Sequence, residues 1–263
     1  MRISLAQIDI VQDNKKENID KALEFIKTAD KRGSDVCVLP ELFIGRNINN
    51  AESIEDYTIK TLIKNSNIGI IFSFMEKFGG CIYNTAVILE KNIILGKYRK
   101  IHLFRPMDED KQFSSGCKPL LFNLNNIKSS VVICYDIRFP ELITNLCING
   151  AKIIYVVANF PHPKLNHWRI LLKARAIENQ IFIVACNSVG VNDKDVFFGH
   201  SIVIDPTGEV VMEGGKDEEL LTTDIDINKV DFERKKCFYL EDRKEECYKI
   251  KNKGSNGQKL TIS

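Results

Sequence analysis

Residues 131–142 read VVICYDIRFPEL: an apolar run, Val131 to Cys134, gives way to a charged stretch that turns at Pro140. A short apolar run next to sequence with helical spacing reads as a strand buried on both faces, and its change of character at Cys134 marks the carboxyl end. The pattern repeats outward. A helix from about Pro140 to Asn149 leads to the strand Ile153 to Ala158, then a helix from about Asn166 to Asn179 and the strand Ile181 to Asn187. Upstream, Arg2 to Ile8 reads as a strand. Asn14 to Lys31 places Ile19, Ala22, Leu23, Phe25 and Ile26 close to helical spacing, and Val36 to Leu39 is a short apolar strand. Tyr57 to Asn65 reads as helix, Ile68 to Phe74 as strand, and Thr85 to Leu89 with Ile93 to Lys97 as an antiparallel pair. Around DPTG, residues 205–208, Ser201 to Ile204 and Glu209 to Met212 predict a hairpin turned by Pro206 and Gly208. The chain is therefore α/β, with sheets covered on both faces or packed on one another.

The 263 residues hold 37 Lys and Arg against 35 Asp and Glu, a net charge of +2, so no global field draws the chain to nucleic acid or to an anionic membrane. No segment nears the ~18 apolar residues of a membrane span. The amino-terminal MRISLAQIDI runs straight into polar sequence, unlike a signal peptide. No two of the eight cysteines have the two-residue spacing of zinc or redox pairs, and a chain this long does not need disulfide staples. A cytoplasmic protein with reduced thiols is expected. No linker, repeat or low-complexity block divides the sequence, so one domain is expected over residues 1–247. Residues 248–263 then form a charged carboxy-terminal extension.

Reactive residues of α/β proteins gather beyond the carboxyl ends of strands. Three are predicted there: Glu41 after Val36 to Leu39, Lys100 after Ile93 to Lys97, and Cys134 after Val131. Singly, each has an ordinary explanation. Cys134 could be a packed thiol, Glu41 a cap, and Lys100 part of a solvated basic cluster with Lys97 and Arg99. Together they meet one chemical need. A thiol attacking a carbonyl must lose its proton; a carboxylate takes it, and a fixed ammonium favours the thiolate and the oxyanion that follows. The four histidines do not displace this scheme, because His162 and His167 are off the i, i+4 spacing of paired ligands. No phosphate loop or dinucleotide fingerprint occurs, and neither a metal nor a cofactor is expected.

LPELF (39–43), YRKIHLF (98–104) and ICYDIRFPEL (133–142) resemble, in this order, the three signature segments of the nitrilase superfamily of carbon–nitrogen hydrolases, with its Glu, Lys, Cys triad. The resemblance covers about residues 2–247. It implies a four-layer α-β-β-α sandwich, at least a homodimer, and a small-molecule amide as substrate. MDEDKQFSSG (107–116) resembles the stretch that carries a second glutamate, here Glu109, which would orient Lys100 or the substrate; an ordinary surface carboxylate is the alternative. The implied mechanism has Glu41 as base, Cys134 as nucleophile, and Lys100 with the backbone N–H of Tyr135 holding the oxyanion.

RKIHLF, CYDIRFPE and NHWRILLKARAIENQ are most similar to the omega-amidase-like branch, which deamidates 2-oxo dicarboxylic acid monoamides such as 2-oxoglutaramate. Such a substrate needs a cation, for which Arg138, Arg105 and Arg169 are candidates. Arg138 could instead pair with Asp136 or Glu141, and Arg169 could form a helix-surface ion pair. Phe160 and Trp168 are candidate apolar walls of the binding pocket. The alternatives are a hydrolase of N-carbamoyl compounds or other small amides, a nitrilase, and a non-catalytic binding protein.

Overall fold

Strand residues alternate between two cores, and this sets the layering. In a computed structural model that describes residues 1–192 and 195–247, the elements in chain order are β1 (Arg2–Gln7), α1 (Lys15–Lys31), β2 (Val36–Val38), α2 (Tyr57–Lys64), β3 (Gly69–Phe78), β4 (Cys81–Glu90) and β5 (Ile93–Arg99). Then come the single turn α3 (Glu109–Gln112), β6 (Leu121–Leu124), β7 (Ile127–Ile133), α4 (Pro140–Ile148), β8 (Ile153–Ala158), α5 (Leu165–Asn179) and β9 (Phe182–Asn187). The chain continues through β10 (Val189–Asn192), β11 (Asp195–Phe198), β12 (Ile202–Ile204), β13 (Val210–Glu213), β14 (Glu219–Asp224) and α6 (Asn228–Lys236).

One six-stranded sheet runs β14-β1-β2-β3-β4-β5 and the other β13-β12-β9-β8-β7-β6. Ile3, Leu5, Val36, Val38, Ile71 and Ile88 of the first sheet share a core with Val131, Ile133, Ile154 and Val156 of the second. Their neighbours Ala6, Cys37, Ile70 and Phe72 point the other way, onto Ile19, Ala22 and Ile26 of α1 and Ile59 and Leu62 of α2. On the far side of the second sheet, Ile143 and Leu146 of α4 and Trp168, Leu172 and Ala176 of α5 complete the burial. The period-2 alternation thus gives helix, sheet, sheet, helix, the four-layer sandwich expected. Asn14 caps α1 by accepting the Glu17 N–H, and Pro140 opens α4 where a missing N–H does no harm.

β7, β8 and β9 are parallel, as are β1, β2 and β3. Their carboxyl ends bring the segments after β2, β7 and β8 to one rim. The sequence reading missed β6, β10, β11, β14 and α6. β14 is the edge strand, antiparallel to β1 with Arg2 opposite Asp224, and its residues are mostly half-buried and so without a sharp alternation. No helix among the described residues is long and apolar enough to cross a membrane. The expected extension, residues 248–263, lies outside the described residues.

Candidate active site

Glu41, Lys100, Glu109 and Cys134 come from four different segments and meet in a nearly dry cluster, none more than 8% exposed. Glu41 follows β2, Lys100 is the first residue beyond β5, Glu109 opens α3, and Cys134 is the first residue beyond β7. Lys100 Nζ donates to Glu41 Oε1 at 2.9 Å and to Glu109 at 2.8 Å. An ammonium has three protons, so one N–H remains for a ligand.

The Glu41 carboxylate is equally constrained. Oε1 accepts from Asn84 Nδ2 at 2.7 Å as well as from Lys100, while Oε2 accepts the Asn159 backbone N–H at 2.9 Å. The Asn159 side chain in turn donates to the Glu41 carbonyl at 2.7 Å, which clamps the segment after β2 to the end of β8. Oε1 is filled and Oε2 retains a lone pair, so the basic position of this carboxylate is Oε2.

Cys134 opens a short 3-10 turn, Cys134–Arg138, with φ of +45°, a left-handed conformation disfavoured for a residue bearing a Cβ. Asp136, fully buried, holds that turn. It accepts the Ile133 N–H at 3.0 Å, the Tyr98 hydroxyl at 2.8 Å, and from His102 the backbone N–H at 3.1 Å; the His102 ring Nδ1 lies 2.8 Å from Oδ1. The His102 ring stacks on Phe139 with centroids 3.5 Å apart. Because the backbone N–H of Tyr135 lies in the first turn of this segment, it has no earlier carbonyl within the turn to bond.

Charge completes the picture. Burial pushes the Glu41 carboxyl up, but Lys100, Arg46 and its hydrogen bonds more than offset this and hold it below its ordinary value. Burial works against the Lys100 charge, yet Glu41 and Glu109 keep it protonated well above the usual range. Glu109 is raised, by burial and then by Glu41, against the pull of Lys100. Burial, followed by the two carboxylates, raises the Cys134 thiol well above its usual value, although Lys100 and the Asn159 N–H act in the opposite direction. The ammonium does favour the thiolate, but here it is outweighed. The resting cluster is a neutral thiol beside an ionised carboxylate, so the proton must move as the sulfur attacks.

A cavity over Cys134 is lined also by Glu41, Glu109, Tyr135, Arg138 and Phe160. The Arg138 guanidinium lies 5.5 Å over the Phe160 ring and 3.4 Å from His167 Nδ1, and forms no ion pair with Asp136 or Glu141. Trp168 does not reach this space. It is fully buried behind Phe160, centroids 5.2 Å apart, with its indole N–H donated to the His200 carbonyl, so its place is structural. Arg169 pairs with Glu213 at 2.7 Å, and Arg105 lines a different crevice beside His102 and Phe139. The parts played by Asn84 and Asn159 escaped the sequence reading because their partner, Glu41, is distant in the chain; Arg46 escaped it too, and Asp136 was read only as a possible partner of Arg138. Among the described residues, no group of three His, Cys, Asp or Glu side chains is placed to hold a metal ion.

The family model for carbon–nitrogen hydrolases matches residues 2–235. Over 235 residues the chain is 41% identical to a 2-oxoglutaramate amidase of Bacillus subtilis (strain 168), covering 86% of this chain and 90% of that protein. It is 32% identical to an omega-amidase of Mus musculus, with 96% and 98% covered. Among solved structures, it superposes with a TM-score of 0.84 and 26% identity on a variant of the amidase from Nesterenkonia sp. AN1, with 94% of this chain and 95% of that one covered. That structure shows covalent addition of the acetamide moiety of fluoroacetamide at the active site cysteine.

Proposed function

The chain belongs to the carbon–nitrogen hydrolase family and acts on amides, and from that premise we propose that it is an omega-amidase with Glu41, Lys100 and Cys134 as its catalytic residues. The observation that carries the assignment is the dry cluster itself: a thiol and a carboxylate with one open lone pair that line one cavity, and bonded to that carboxylate an ammonium with one free N–H.

Glu41 takes the thiol proton as Cys134 Sγ attacks the amide carbon. The carbonyl oxygen becomes an oxyanion held by the free N–H of Lys100 and the backbone N–H of Tyr135. Glu41 returns the proton to the nitrogen, the C–N bond breaks, and ammonia leaves a thioester on Cys134. Glu41 then accepts a proton from water, whose oxygen attacks the thioester. Collapse expels the thiolate, which recovers its proton. Glu109 positions Lys100 between two carboxylates, aiming the remaining N–H.

The substrate is a monoamide of a 2-oxo dicarboxylic acid, such as 2-oxoglutaramate. Support comes from Arg138, an uncompensated cation within the nucleophile's cavity and stacked on Phe160, and from the similarity to the Bacillus subtilis enzyme. One domain, residues 1–247, carries the activity because the site draws on both sheets. The eight free thiols suit a reducing cytoplasm. We further infer a homodimer, supported by exposed Ile170 and Ile177 on α5 and exposed Phe232 on α6.

Ammonia release from 2-oxoglutaramate, abolished by Cys134→Ala with the circular dichroism spectrum retained, is the expected result. Turnover of carbamoyl compounds alone would redirect the substrate assignment, and no turnover of any amide or nitrile would refute the mechanism.

A further inference from the structure

Arg46 sits just beyond the Glu41 segment and was not anticipated from sequence. It lines the cavity over Cys134, and with Met107 and Glu109 it also lines the outer cleft that continues from it. Its guanidinium lies 5.3 Å over the Phe197 ring, which fixes the side chain without neutralising it. The Nε atom is buried and has no hydrogen-bond partner, and Arg46 forms no ion pair among the described residues. A buried guanidinium N–H left unmatched is costly unless a ligand supplies the acceptor. The other charges nearby do not supply it: Glu41 and Glu109 are committed to Lys100, and Asp13 accepts from Asn47 at 2.6 Å. Asp13 and Asp195 border the outer cleft, whereas on the inner side, where Cys134 lies, Arg46 is joined by a second guanidinium, Arg138, and the two carboxylates there, Glu41 and Glu109, are paired with Lys100.

We propose that Arg46 is a specificity-determining residue, which donates to the carboxylate end of an ω-amide acid whose amide lies on Cys134. It acts as a second cation beside Arg138. The inference rests on the amidase reading above and extends it to a named selectivity: acids over neutral amides of the same length. A guanidinium N–H and its charge are both used, so lysine can replace the second but not the first.

The test compares succinamate with butyramide, which has the same chain length but no carboxylate. In Arg46→Gln the ratio of kcat/KM for succinamate to that for butyramide falls about 10- to 100-fold, chiefly through KM of the acid, and Arg46→Lys restores part of it. A ratio unchanged within about twofold in both variants overturns the proposal. So does an equal loss of kcat on both substrates, which would mean that Arg46 serves only to hold Glu41 ionised. Calorimetric binding of succinamate to Cys134→Ala protein, with and without Arg46→Gln, needs no turnover. A weakening of Kd of about tenfold or more supports the role; equal affinity, or no binding in either protein, overturns it. Failure of the wild type to hydrolyse any ω-amide acid, with the binding difference intact, would refute the amidase reading alone.

Discussion

Lys100 is the residue on which both the stability and the chemistry of the cluster converge. Replacing it by methionine keeps the volume but leaves two buried carboxylates without their ammonium, a loss of about 3–5 kcal/mol by the usual cost of breaking a buried pair. In the wild type, Glu41 is held below its ordinary value, so its contribution is present above the unfolded carboxylate pKa and disappears only as pH falls through the lower folded value. Glu109 is held above its ordinary value, so its ionised form is a liability at neutral pH that acidification relieves. In Lys100→Met both carboxyls are pushed up. Urea unfolding at pH 7 and pH 5 should therefore show a stability deficit that narrows on acidification; a deficit that widens would contradict this account. With Glu41 as the proposed base, the same shift sets the acid limb of kcat/KM: the rate should hold down to the ordinary carboxylate range and fall only below it. Glu41→Gln should lower kcat by about 10²- to 10⁴-fold, measured as ammonia release, without loss of fold. The grouping of Glu41, Lys100 and Cys134 was legible because each was read just beyond a strand and the three together meet one chemical need. Arg46, Asn84 and Asn159 were not, because nothing local to them shows which carboxylate they face or fail to face.

At the level of the element, the turn Cys134–Arg138 and the end of β5 are held by contacts that a variant can remove one at a time. Asp136 receives the Tyr98 hydroxyl, the Ile133 N–H and the His102 N–H, so Asp136→Ala leaves several buried donors unmatched. A loss of about 2–4 kcal/mol in unfolding free energy is expected, with kcat reduced more than KM because the positive φ of Cys134 is no longer enforced. A larger effect on KM than on kcat would assign Asp136 to substrate binding instead. Gly116 donates its N–H to the Lys100 carbonyl at 2.8 Å, and a Cβ there would lie 2.1 Å from the Arg99 carbonyl oxygen. Backbone must move, so Gly116→Ala should displace the end of β5 and lower both melting temperature and kcat; an unaltered kcat would show that Lys100 is positioned by Glu41 and Glu109 alone. Elements with strong periodicity were legible to within a residue or two, β8 and α5 among them. β14 and α6 were not, since ELLTTD is half-buried along its length and NKVDFERKK buries only Val230.

For the whole molecule, large apolar side chains are left exposed on two helices that are joined to each other. Ile170 and Ile177 of α5 are 56% and 44% exposed, and Phe232 of α6 is 58% exposed. The two helices are not independent: Gln180, which ends α5, donates through Nε2 to the Glu233 and Cys237 carbonyls of α6 and the residue following it, each at 2.9 Å. A surface on which large apolar side chains are exposed from helices tied together is suited to meeting its own copy, since a two-fold contact would bury the same residues twice. Light scattering on the purified protein should give twice the 30.0 kDa chain mass. Ile170→Glu combined with Phe232→Glu places like charges across such a contact and should shift the mass to that of one chain. Because the helix layers bearing them lie outside the sheets whose strand ends form the active site, the double variant should keep the far-ultraviolet spectrum of the wild type. A single-chain mass for the wild type, or a double variant of unchanged mass, would refute the dimer built on these helices.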